Sequence, residues 1–146
     1  MISHSIYKSL RILIILSFGL CGCEEKIEEF GPIKGEWKLV RVESLLDGPT
    51  IHKPPSETGE VTLKVDDENL IRFSGHTPRN IFYGVCTNTG NDMLVLDSLF
   101  MTKVGETEWG NIFFDRIIHL DYFYRNPYSK TLELYCGSKL VFTRTQ

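Results

Sequence analysis

The sequence has no apolar run of roughly 20 residues, the length a helix needs to cross a bilayer. Its N-terminal apolar run, Ile12 to Leu20, is short and is broken by Ser17 and Gly19. Basic charge is in deficit, with 16 Lys and Arg against 19 Asp and Glu. That excludes nucleic acid as an expected partner, because phosphate recognition rests on a basic footprint. There is no C-x-x-C pair, and no His stands at ligand spacing beside Cys86 or Cys136. No metal site is expected, and no cofactor. The motifs G-x-S-x-G, H-E-x-x-H, the P-loop and the dinucleotide-binding glycine pattern are all missing.

Catalysis needs a nucleophile with a base, or paired carboxylates, held in a pocket. His52 lies in a Pro-rich loop, His76 in a turn and His119 on the polar side of a helical stretch, and nothing in the pattern brings them together. Asp66, Asp67 and Glu68 lack the D-x-D-x-D-G spacing of a calcium loop and read as a polar hairpin tip. The expectation is a protein that is not an enzyme. Internal repeats are missing too.

At the N-terminus, Lys8 and Arg11 precede the apolar run, which ends at Leu20-Cys21-Gly22-Cys23. This resembles a lipoprotein signal peptide of the bacterial type, with cleavage before Cys23 and lipidation, including palmitate, on that cysteine. The expected organisation is a cleaved signal over 1–22, an acidic tether over 23–34 and a single domain over 35–146. Removal of 1–22 takes Lys8 and Arg11 and no acid, leaving 14 basic residues against 19 acidic ones. The run Glu24-Glu25-Lys26-Ile27-Glu28-Glu29 is charge-dense and aperiodic, as a solvated spacer would be. Acidic residues directly behind a lipidated cysteine also resemble a surface-export signal of some bacteria. The expected location is the bacterial cell envelope, on the outer membrane, in the periplasmic or the surface-facing leaflet.

Cys86 and Cys136 remain in the domain. Export would place them where a disulfide persists, and closing a loop of about 50 residues stabilises a fold by about 4 kcal/mol. The other reading is two buried, reduced cysteines acting as small hydrophobes.

Along the domain, Trp37 and Leu39 alternate with charged neighbours, predicting a strand with Trp37 inward. A long loop spans Asp47 to Gly59, punctuated by Gly48, Pro49, Pro54 and Pro55. Val61–Val65 and Leu70–Phe73 form a hairpin. Ile81–Cys86 and Met93–Leu96 form another, closed at Asn88-Thr89-Gly90-Asn91. Glu106 and Thr107 are positioned to cap a helix, on which Trp109, Ile112, Phe113, Ile117 and Leu120 share a face. Three short strands follow, with Leu132, Leu134 and Cys136 on one side of the middle one. About eight short strands and one amphipathic helix predict a mainly β fold: a small antiparallel sheet that curls on itself, or a cracked β-barrel, with the helix as its plug.

The order of motifs resembles the META domain, or HslJ-like family, of bacterial envelope lipoproteins. The matching residues are Gly35-x-Trp37-x-Leu39, Phe73-x-Gly75 with Asn80-x-Phe82-x-Gly84, Thr102-Lys103-Val104-Gly105, and a closing pattern from Tyr122 to Phe142. The resemblance implies a lipocalin-like or cracked barrel with one helix. It carries little chemistry, since members are associated with envelope stress, drug tolerance and secretion. Arg79-Asn80 replaces a frequent Cys-Asn and Cys86 a frequent Tyr, so no cysteine pairing carries over.

Gly75, Asn80, Phe82, Gly84 and Thr102 are thus candidate site residues. They are read either as a structural corner, with Asn80 bonding to backbone, or as a cavity mouth. Tyr83, Trp109 and Phe113 would be the wall of such a mouth, suited to an apolar ligand. The function expected is that of a non-enzymatic, lipid-anchored envelope protein acting as an interaction or envelope-maintenance module, its partners being the membrane through its anchor and an envelope protein. The alternative is a carrier holding a small apolar ligand inside the barrel.

Overall fold

The computed structural model describes residues 33–66, 70–126 and 130–145. Cys23, the signal stretch, the acidic run and the tip residues Asp67 and Glu68 lie outside the described residues. The strands are β1 (Gly35–Glu43), β2 (Ile51–His52), β3 (Thr62–Val65), β4 (Leu70–His76), β5 (Ile81–Gly90) and β6 (Met93–Met101). Helix α1 (Glu108–Ile117) follows, then β7 (Tyr122–Asn126), β8 (Thr131–Tyr135) and β9 (Lys139–Arg144). Among the described residues, no helix is long and apolar enough to cross a membrane.

Every pairing is antiparallel, running β1–β3–β4–β5–β6–β7–β8–β9 and returning from β9 to β1, so a single sheet curls into a ring. The predicted mainly β architecture with one helix is therefore present among the described residues. Closure at β1–β9 is extensive, from Trp37 opposite Arg144 to Glu43 opposite Lys139. The Trp37 ring is fully buried, its indole N–H donates to the Ile33 carbonyl at 2.8 Å, and the Arg144 guanidinium stacks over it at 4.9 Å. Contact at β6–β7 is slight. Met93 opposite Tyr122 is the one register pair among the described residues, and Leu94 N–H donates to Asp121 O beside it.

Strand alternation decides what fills the ring. Trp37 and Leu39 point inward, and a bulge between Leu39 and Arg41 shifts the parity so that Val42 does too. Leu63, Val65, Ile71, Phe73, Phe82 and Cys86 continue this inner face. Helix α1 starts where expected: the Thr107 side chain accepts from Gly110 N–H at 3.2 Å. A helix of ten residues is marginal alone in water, so burial of Trp109, Phe113, Phe114 and Ile117 holds it in place. Each large apolar side chain buried contributes about 1.5–3 kcal/mol. Phe82 meets Phe113 and Phe114 at ring-centroid distances of 5.0 and 5.8 Å.

Three local expectations change. The loop from Asp47 to Gly59 contains β2, which pairs with Arg41 and Val42 on the edge of β1 beyond β3. The second hairpin turns at Asn91 and Asp92, not at Asn88 to Asn91. Both of those residues have positive φ, 52° and 60°, the conformation a two-residue turn demands. Cys86 and Cys136 are buried and free, not bonded to each other. Cys86 lies on β5 and Cys136 just past β8, with β6 and β7 between them. That is about three strand spacings of 4.8 Å along the sheet, whereas a bond needs Cα atoms within about 7 Å. Burial pushes the Cys86 thiol up to about 12 and the Cys136 thiol up to about 11, so both behave as small hydrophobes.

Candidate functional site

The candidate motif residues meet at one end of the β4–β5 hairpin. In the β4–β5 register Phe73 stands opposite Gly84, and Gly75 opposite Phe82. Each phenylalanine ring lies against the glycine facing it. A Cβ on Gly84 would sit 2.1 Å from Cζ of Phe73. One on Gly75 would sit 2.6 Å from Cζ of Phe82 and 2.0 Å from the Thr62 carbonyl oxygen. The two F-x-G segments therefore interlock, and the missing side chains are the space the rings occupy.

Asn80 is buried and uses its whole amide. Its Oδ1 accepts from Thr102 Oγ1 and from Val104 N–H, each at 2.9 Å. Its Nδ2 donates to Val104 O at 2.9 Å and to Glu106 Oε2 at 2.7 Å. Thr102 in turn accepts from Ile81 N–H at 3.1 Å. The connector from β6 to α1 is thus bound to the β4–β5 corner by one side chain, which bonds to the backbone of Val104 and to the side chains of Thr102 and Glu106.

Glu106 completes the corner. Thr77 Oγ1 donates to its Oε2, and Thr107 N–H donates to its Oε1 at 2.8 Å. Burial pushes this carboxyl's pKa up, but the hydrogen bonds from Asn80, Thr77 and Thr107 outweigh burial and hold it below the ordinary value. A second carboxylate, Glu57 from the long loop, accepts from Trp109 N–H at 3.1 Å. Two acids therefore meet the positive end of the helix dipole. Glu106 is legible in the sequence as a helix-capping acid, but its reach to Asn80 and Thr77 is not. Glu57 carries no sequence signal at all.

The expected aromatic wall does not form. Trp109 and Phe113 are core residues with no exposure, whereas Tyr83 lies on the outer face, 42% exposed. Alternation is the reason: Phe82 and Gly84 point inward, so Tyr83 between them points out. The interior void lined by Leu63, Val65, Ile71, Phe73, Ile117 and Leu132, among others, has a volume of about 20 Å³. That is room for one water molecule. Larger hollows are open to solvent. One of about 470 Å³ lies at the sheet end where Glu36, Lys64, Ser74 and His76 of the outer face meet Leu63, Gly75 and Phe82. His52 stands on β2, His76 at the end of β4, and His119 in the turn after α1 rather than on the helix; all are exposed.

No family model matches the chain, and no curated protein matches it. Among solved structures, the NMR structure of a protein from Burkholderia xenovorans has a TM-score of 0.61 to this chain. The match covers 77% of this chain and 83% of that one at 20% sequence identity. Similarity at that level is a similarity of fold.

Two predictions follow from the corner's geometry. Gly84→Ala should destabilise the fold by about 1–3 kcal/mol, the usual cost of overpacking. Gly75→Ala should cost more, because its added Cβ meets backbone rather than a ring that can turn. Urea unfolding of both variants checks the order, and equal or negligible losses would contradict the interlock. For Glu106, the lowered folded-state pKa means its contribution is complete above the unfolded-state pKa and is lost as pH falls through the folded-state one. Glu106→Gln should therefore melt below wild type at neutral pH, with the gap closing below about pH 4. Melting curves separated equally at every pH would refute this.

Proposed function

We propose that this is a non-enzymatic, lipid-anchored protein of the bacterial cell envelope, of the META or HslJ-like kind, acting as an interaction or envelope-maintenance module. The observation that carries this reading is the filled interior. A carrier for an apolar molecule needs a cavity of about 300–1,000 Å³, and the 20 Å³ inside this ring counts against storage of a ligand there. The motif residues support it as well. Asn80, Thr102 and the two glycines are committed to packing and hydrogen bonding within the corner, which leaves the exterior as the working part.

The anchor reading rests on Leu20-Cys21-Gly22-Cys23 and the charged, apolar segment before it. An acyl chain contributes about 0.8 kcal/mol per buried CH₂, so the two or three chains of a bacterial lipoprotein hold firmly where one does not. The acidic stretch that follows would join the anchor to the domain as a solvated spacer. Cys23→Ala should abolish palmitate incorporation and move the protein from the membrane fraction to the soluble fraction. A mutant that stays with the membrane and still takes up label would refute the anchor.

A further inference from the structure

We propose that the corner where β4, β5 and the β6–α1 connector meet is a membrane-contact face that lies against anionic phospholipid headgroups. Ile81, Phe100 and Val104 are each more than half exposed there, and Tyr83 and Met101 are exposed beside them. These residues adjoin one another. Tyr83 pairs with Phe100, Phe82 with Met101, and Thr102 N–H donates to Ile81 O at 3.0 Å. A shallow open hollow of about 320 Å³ runs along them. The Asn80 amide holds the connector in place, so the apolar side chains are presented by ordered backbone.

Charge selects the occupant. Arg79 and Lys103 are exposed at this corner, with Arg79 Nη1 donating to Gly105 O at 3.1 Å. Neither His76–Val85 nor Ser98–Gly105 contains an Asp or Glu, although acids outnumber bases in the chain. Of the carboxylates flanking these segments in sequence, Asp97 accepts from Thr87 Oγ1 at 2.8 Å, Glu106 is tied to Asn80 and Thr77, and Glu108 lies in the first turn of α1. Cations flanking exposed aromatic and aliphatic side chains match the two layers of a bilayer interface, anionic headgroups above acyl chain. The proposal rests on the anchor reading in one respect, that the lipid brings this face within reach of the bilayer. The lipid sets where the domain is, and the face sets how it lies.

The test uses the full lipidated protein carrying Phe100→Trp, reconstituted into vesicles with brominated acyl chains. One set is phosphatidylcholine alone and the other contains phosphatidylglycerol. Trp37 and Trp109 are fully buried, so the unsubstituted protein supplies a constant background. In the anionic vesicles the new indole's emission should shift to the blue and be quenched several-fold more than in phosphatidylcholine. Arg79→Glu with Lys103→Glu should abolish that difference. Quenching no greater than background in both vesicle types would overturn the proposal. So would a blue shift that follows protein density rather than lipid charge, which would mark contact with a second copy. Flotation of the same samples keeps the readings apart: protein that does not float with phosphatidylcholine overturns the anchor, and quenching on addition of anionic vesicles still decides the face.

Discussion

The four hydrogen bonds of the Asn80 amide join parts of the chain that the β-ladders leave apart. The sheet is paired along most of its circumference, but β6 and β7 barely touch, and the connector and α1 lie between them in sequence. Asn80 fixes that connector to the β4–β5 corner, and Glu106, bonded by Asn80, Thr77 and Thr107, fixes the start of the helix. A buried amide with all its capacity used avoids the penalty of an unpaired polar group, about 1–3 kcal/mol each. With the helix start held, Phe113 and Phe114 reach Phe82, and the hydrophobic core runs from the strands into α1 without a break.

The same corner explains why the interior is full. Phe73 over Gly84 and Phe82 against Gly75 bring two rings into space that any other residue pair would close. Around them the strands contribute Trp37, Leu39, Leu132, Leu140 and Phe142, all essentially without exposure. A ring of this kind holds its contents as a core holds them, by close packing. On the outside, Tyr83 and Phe100 stand as cross-strand neighbours, and the charged residues are unevenly spread.

Much of this was legible in the residues. Alternation predicted the inward Trp37 and Leu39, turn chemistry predicted the β3–β4 hairpin, and the Glu106-Thr107 pair marked the helix start. The curled antiparallel sheet with one helix follows from these. What was hidden depends on contacts distant in sequence or on bulges. The bulge near Val40 changes the parity of β1, and β2 is an edge strand because β1 extends past the end of β3. In the candidate site, Asn80 stands out in the sequence, but its partners from Thr102 to Glu106 lie more than twenty residues away. Tyr83 was misassigned to the wall although its neighbours Phe82 and Gly84 already imply its outward direction. The state of Cys86 and Cys136 depends on strand order around the ring, which spacing along the chain does not contain.

The central claim is that α1 belongs to the core and is not a lid over a binding chamber. Native-state hydrogen exchange tests it most directly, because a lid opens at much lower free energy than the core it covers. The account predicts that amides of α1 from Asn111 to Ile117, and the Val104 amide bound to Asn80, exchange with the same opening free energy as those of β4 and β5. Exchange of the helix well ahead of those strands, while the strands remain protected, would contradict it.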